Sequence, residues 1–196
     1  QHAQAYRDAR SEAAASLVRA LAAHNAGRLD LAAPLAQSAL DTLRAACPAL
    51  PDGFAAVAPG VAPDAANRCD YRSAWQALQL LQQYGVRKGL LADATARAQA
   101  ARDLAAWASD AYRQTVSTAE LAWLTARHDG FDAAQPLLAQ AQRLAARSGD
   151  PVLQVRVKMA EAQIASQREE LDAMRRLVEE ALPLARRADS PRLEAS

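Results

Sequence analysis

Hydrophobic and small residues recur along this chain at a step of forty. The segment Leu104-Ala105-Ala106-Trp107-Ala108-Ser109-Asp110 lines up with Leu144-Ala145-Ala146-Arg147-Ser148-Gly149-Asp150, and then with Leu184-Ala185-Arg186-Arg187-Ala188-Asp189-Ser190. The same step relates Leu91, Phe131 and Leu171, each followed three residues later by Ala94, Ala134 or Met174. It also relates Ala101, Ala141 and Ala181. Between residues 131–154 and 171–194, nine of 24 positions are identical. A fixed step shared by three copies marks an internal repeat. A fourth copy stands near the start, where Gly27-Arg28-Leu29-Asp30-Leu31-Ala32 resembles Asp129-Gly130-Phe131-Asp132-Ala133-Ala134, with Ala36 and Ala39 continuing the pattern.

Each unit divides into two helices. The pattern predicts helices over 3–25 and 29–46, 70–86 and 90–107, 110–128 and 131–147, and 151–167 and 171–187. Breaks fall at Gly27, at Gly85 or Gly89, at Asp129-Gly130 and at Gly149-Asp150-Pro151. Asp at a helix start offers an N-cap, and Pro151 suits a first helical turn. One helix pair cannot bury its apolar face alone, whereas stacked pairs share a continuous core. The expectation is therefore one domain over 1–196, with repeats at about 3–46, 70–107, 110–147 and 151–187. Residues 190–196 read as the start of a truncated next repeat, so Leu177, Val178, Ala181 and Leu184 are expected to lack a neighbour.

Composition narrows the class. The chain holds 52 Ala against 9 Val, 1 Ile and 5 Thr. Ala is the best helix former and β-branched residues favour strands, so little room is left for a sheet. The 23 Lys+Arg against 22 Asp+Glu exclude the strong positive field of a backbone-driven nucleic-acid binder, and also an acidic disordered tail. No apolar run approaches the ~18–20 residues of a membrane span, so no membrane contact is expected of this segment. The start Gln1-His2-Ala3-Gln4, without Met, is expected of a processed or trimmed chain. The 21 Arg against 2 Lys read as the habit of a GC-rich genome and not as a site.

Cys47 and Cys69 bracket the least helical stretch, which contains Pro48, Pro51, Gly53, Pro59, Gly60 and Pro63. Two cysteines around a loop can form a disulfide, half of a metal site, or two free thiols. A metal site would need further ligands, and His2, His24 and His128 show no ligand spacing. The repeat register favours the disulfide. Leu29 and Leu91 stand 62 residues apart, the period plus the 22 residues that separate the cysteines. Both cysteines fall in the register of Ser109 and Gly149, and Asp70 aligns with Asp110 and Asp150. Residues 47–69 are then an inserted loop whose ends must lie close together, the geometry a disulfide needs. A bridge implies an oxidising compartment, most simply a bacterial periplasm.

Specific residues carry a family resemblance. The turn Gly27-Arg28-Leu29 with Ala32, then Ala39-Leu40, resembles the tetratricopeptide repeat, as does Asp129-Gly130-Phe131 with Ala134 and Ala141. The forty-residue spacing is similar to the longer variety of that repeat found in bacterial signalling proteins. Departures are a weak aromatic in the first helix, Met174 for a small residue, and Arg102 and Gln142 for a usual Leu. The resemblance implies an all-α fold, a right-handed α-solenoid of about four helix-turn-helix repeats of about 40 residues. Residues 69–196, from Cys69-Asp70-Tyr71-Arg72-Ser73-Ala74-Trp75 onward, resemble the extracytoplasmic tetratricopeptide region that precedes a GGDEF (diguanylate cyclase) domain in some proteobacterial proteins. No GGDEF segment is present in this sequence, so nothing catalytic is carried over.

In the family, the inner face formed by the first helix of each pair binds peptides or small ligands. The register places His24 and Asn25, then Gln76, Gln79, Gln83 and Arg87, then Glu120, Trp123 and Arg127, then Arg156, Gln163 and Gln167 on that face. Arg87 and Arg127 suit bidentate capture of a carboxylate, with Trp123 as a stacking wall. Against this stands the plainer account that Trp123 packs between helices and the glutamines are solvated. Trp75 and Trp107 are read as packing residues.

No P-loop, Gly-rich dinucleotide fingerprint, nucleophile elbow or HExxH occurs. Glu169-Glu170 and Glu179-Glu180 are adjacent in sequence only, since neighbours on a helix diverge by about 100°. No enzyme, cofactor or metal site is expected of this chain. The leading reading is a sensory, ligand- or protein-binding module of a bacterial signalling protein, the periplasmic part of a diguanylate cyclase. The alternative is a free-standing periplasmic interaction scaffold. Expected partners are a peptide, protein or small molecule in the groove, with room for a homodimer.

Overall fold

Alanine-rich segments interrupted by glycine and aspartate fold into eight helices in a computed structural model, which describes residues 2–47, 50 and 69–188. They are α1 (His2–Asn25), α2 (Leu29–Ala46), α3 (Tyr71–Lys88), α4 (Leu91–Trp107), α5 (Ala111–His128), α6 (Phe131–Ser148), α7 (Pro151–Gln167) and α8 (Leu171–Arg187). The described residues contain no strand, so the class is all-α. Helix limits differ from the predicted ones by at most two residues. The interior of the inserted loop, apart from Leu50, and the expected next repeat at 190–196 lie outside the described residues.

Each helix pair reverses through one backbone bond. Arg28 N–H donates to the Ala23 carbonyl, Leu90 to Gly85, Gly130 to Thr125 and Glu170 to Ala165, at 2.8–3.1 Å. This bond, from the second or third residue past the helix end back to its third- or fourth-last residue, satisfies a carbonyl that the helix leaves open. The four acceptors stand 62, 40 and 40 residues apart, so the spacing read in the sequence is the spacing of the turns. Gly27 and Gly89 take left-handed φ values of 72° and 74°, and Glu169 takes 61° in the equivalent place. Aligned aspartates cap helices. Asp70 accepts from the Ser73 N–H at 3.2 Å and the Ser73 hydroxyl at 2.9 Å. Asp150 accepts from the Val152 N–H at 2.8 Å.

The chain divides into two compact units, Gln1–Asp110 and Ala111–Ser196. In the first, α1 packs on α2, α2 on α3, and α3 on α4, with α1 also touching α3. Its core joins Leu17, Leu40, Leu43, Leu78, Leu80, Leu104 and Trp107, with Trp75 half-buried against them. In the second, α5 meets α6 and α7, α6 meets α7, and α7 meets α8. The buried side of α5 carries Thr115 and Thr118, whose hydroxyls donate to the Ala111 and Gln114 carbonyls at 2.7 and 2.6 Å. Each hydroxyl is thereby satisfied within its own helix, which lets a polar side chain be buried without a partner from elsewhere.

Small residues set the helix spacing. Ala32, Ala94 and Ala134, three residues into each second helix, are buried, as are Ala39, Ala101, Ala141 and Ala181 further along. A Cβ on Gly85 would stand 3.2 Å from the Ala94 Cβ and 3.3 Å from the Leu90 carbonyl oxygen, so α3 and α4 approach almost backbone to backbone. Ala181 and Leu184 are not left open, contrary to expectation. They pack with Val155 and Ala185 against Met159 because they face α7 of their own hairpin. The exposed apolar residues of α8 are Leu171, Val178 and Leu182.

A disulfide joins Cys47 to Cys69, with Cα atoms 5.8 Å apart across a sequence separation of 22. Cys69 is buried in the first unit's core and Cys47 packs against that core, so the bridge pins the end of α2 beside the start of α3. No described helix is long and apolar enough to cross a membrane.

Two outcomes follow. Closing a loop of this size stabilises by roughly 3 kcal/mol in the chain-entropy account, so reduction should lower the urea midpoint accordingly; an unchanged midpoint would deny the bridge a structural role. Gly85→Leu, which overpacks the α3–α4 contact, should cost about 1–3 kcal/mol in the same assay.

Candidate ligand-binding faces

The residues expected on an inner face fall in both units. In the first unit they belong to α3. Gln83 and Arg87 are exposed, whereas Gln79 is buried, 8 % exposed, with no hydrogen-bond partner for Nε2. One turn on, Gln82 is 3 % exposed and its Oε1 also lacks a partner. Gln82 was not singled out by the register, although its three-residue spacing from Gln79 places both amides on neighbouring parts of one helix face. A buried amide with an unsatisfied atom typically costs about 1–3 kcal/mol.

Arg87 lies in the last turn of α3, where the helix C-terminus favours a cation. It is brought near His24, in the last turn of α1. Partial burial, and secondarily the Arg87 guanidinium, hold the His24 imidazole below its ordinary pKa. The pair thus forms a corner in which the arginine is charged and the histidine prefers to be neutral. No carboxylate among the described residues pairs with Arg87. Lys88, one residue on, points to the opposite neighbour and pairs with Asp30 of α2 at 2.8 Å.

In the second unit, α5 carries Glu120, Trp123 and Arg127 at steps of three and four, so they share a face. Glu120 and Trp123 are half-buried and Arg127 is exposed. Arg127 stands forty residues from Arg87, again in the last turn of a first helix, and likewise has no carboxylate partner among the described residues. On α7, Arg156 and Gln163 are exposed and lie seven residues apart. α5 and α7 pack on each other, so both faces belong to adjoining helices. His128 instead contacts its neighbour, with Nδ1 2.7 Å from the Asp129 carboxylate.

The chemistry on offer is recognition of an anion by unpaired guanidinium groups, flanked by amides and an indole. Paired glutamates act as surface charges, Glu170 with Arg168 and Glu180 with Lys158. Among the described residues no group of three or more His, Cys, Asp or Glu could hold a metal ion. Compared with protein families, curated proteins and solved structures, this chain matches none.

The His24 environment has a pH signature. Because folding depresses its pKa, the unfolded chain binds the proton more readily, and His24 contributes stability that is full above about pH 6.5 and declines as pH falls through the lowered folded value. His24→Gln should therefore reduce the loss of stability between neutral and mildly acidic pH, read from urea midpoints. A pH profile identical to wild type would place the histidine in ordinary solvent.

Proposed function

We propose that this chain is a non-catalytic binding module of the tetratricopeptide kind, a right-handed solenoid of four helix hairpins in an extracytoplasmic bacterial signalling protein. In its fullest form the proposal makes it the periplasmic sensor region of a diguanylate cyclase. One observation carries the reading. The same hairpin turn, with the same backbone bond, recurs at Ala23, Gly85, Thr125 and Ala165. A repeated hairpin with small residues at fixed positions is how quasi-one-dimensional scaffolds build binding surfaces from their first helices. The Cys47–Cys69 bridge supports an oxidising compartment.

The proposed ligand is a peptide or small molecule carrying a carboxylate. Arg87 and Arg127 favour that chemistry, since each presents an exposed guanidinium at the same register and neither is taken up by a described carboxylate. Guanidinium forks pair with carboxylates through two parallel bonds, and such charge-assisted bonds are the stronger class. Trp123 supplies a fluorescent reporter on the same helix as Arg127.

The test is calorimetric titration with carboxylate-bearing small molecules and short peptides found by thermal-shift screening. For a ligand of wild type, Arg87→Ala or Arg127→Ala should weaken binding by about tenfold or more, as expected for hydrogen bonds to charged groups. Equal affinity in wild type and both variants would reject these faces as the site.

A further inference from the structure

We propose that the cleft where α2, α3 and α4 meet in the first unit is a site for a free amino acid with an apolar side chain, held at its two charges by Arg97 and Asp93. The site uses none of the residues assigned to the Arg87 and Arg127 faces and does not rest on the reading given to them.

The cleft lies where the turn between α3 and α4 meets α2. Pro34 and Gln37 come from α2, Leu81 and Tyr84 from α3, and Leu90, Asp93 and Arg97 from the turn and the first part of α4. Its volume is about 260 Å³. Pockets for drug-sized ligands run from about 300 to 1,000 Å³, so this one suits a molecule of single-residue size. Pro34, Leu81 and Leu90 supply an apolar wall, on which Leu90 is 47 % exposed.

Most of the polar groups at this cleft are already engaged. Asp30 takes Lys88 at 2.8 Å and the Tyr84 hydroxyl at 3.5 Å, and Gln37 donates through Nε2 to Asp41 at 2.8 Å. Asp93 and Arg97 are different. They stand four residues apart on α4, the spacing at which a carboxylate and a following cation ordinarily pair. Both line the cleft, yet neither has an ion pair or hydrogen bond among the described residues. Arg97 is half-buried, so solvent compensates its charge only in part.

The complement of this set carries both charges. A carboxylate pairs with the Arg97 fork through two parallel bonds, and an ammonium donates to Asp93 and to the Gln37 Oε1. Side chains four apart on a helix have Cβ atoms about 5–6 Å from each other, close enough for the two groups of one α-carbon to reach both. The ligand's apolar side chain then lies against Leu81, Leu90 and Pro34. A ligand with a single charge leaves either Asp93 or Arg97 without a partner.

Helix packing alone does not call for these polar groups. In the register of Gln37, Tyr84, Asp93 and Arg97, the second unit carries Ala139, Ile164, Ala173 and Leu177. Its own polar residues in this register are Glu161 for Leu81 and Glu170 for Leu90, and these are taken up by Gln142 and Arg168. The same hairpin stack is thus built with and without an unpaired charge couple at this junction.

Isothermal titration of the whole chain with L-leucine and L-phenylalanine tests the site. Each should bind saturably. N-acetyl-L-leucine and L-leucinamide, which lack one charge each, should bind weaker by about tenfold or more, as for lost hydrogen bonds to charged groups. Arg97→Leu and Asp93→Ala install the residues found in that register of α8, so both should keep wild-type helicity by circular dichroism. Each should weaken leucine binding by about tenfold or more. Absence of saturable binding for both amino acids overturns the proposal, as does equal affinity for either singly charged analogue. Leucine binding that survives Arg97→Leu but is lost in Arg87→Ala would assign the ligand to the α3 face and overturn this site alone.

Discussion

The close approach of two helices across a short turn is the constraint on which the rest of this structure depends. A two- or three-residue connection that returns its amide to a carbonyl five residues back leaves the paired helices no room to separate. Side chains where they meet must therefore be small. Gly85 lies almost in contact with Ala94, and the equivalent positions hold Ala23 with Ala32 and Thr125 with Ala134. Alanine serves here both as a helix former and as a spacer, because it packs closely without losing rotamer freedom. Where the rule relaxes, at Met174, the side chain is half-buried.

The second constraint is register. An insertion between two hairpins would let the third helix slide along the second unless its ends were fixed. The Cys47–Cys69 bridge fixes them with Cα atoms 5.8 Å apart, and Arg10 of α1 adds an ion pair at 3.6 Å to Asp70, the cap of α3. The cap itself is held by Ser73. Covalent closure, capping and charge thus act on one junction. The pair at 3.6 Å, exposed on its arginine side, contributes little on its own, and the bridge dominates.

Much of this architecture was legible in the sequence because one physical device was repeated. Gly27, Gly89 and Gly130 reported the turns, Asp70 and Asp150 the caps, and the 62-residue spacing from Leu29 to Leu91 the bridge between the cysteines. Pro34 and Pro136 lie inside α2 and α6 at equivalent positions, and Pro183 lies inside α8, because neighbouring contacts hold each helix together past the lost donor. Burial was the least legible property. Register alone assigned Gln79 to a face without saying that it would be buried, and it left Ala181 and Leu184 open where α7 covers them. One residue's rotation about a helix, about 100°, separates an open face from a covered one.

Alanine packing also has a consequence for where large apolar residues sit. Burial stabilises in proportion to the apolar area removed from water, and an alanine removes far less than a leucine. A hairpin built mainly on alanine contacts contributes little alone, so in a stacked array the interfaces between hairpins must carry a large share of the stability. Leu40 and Leu80 lie buried in the core of the first unit, and Leu40 lines a crevice between α2 and α3 with Ala74 and Leu78.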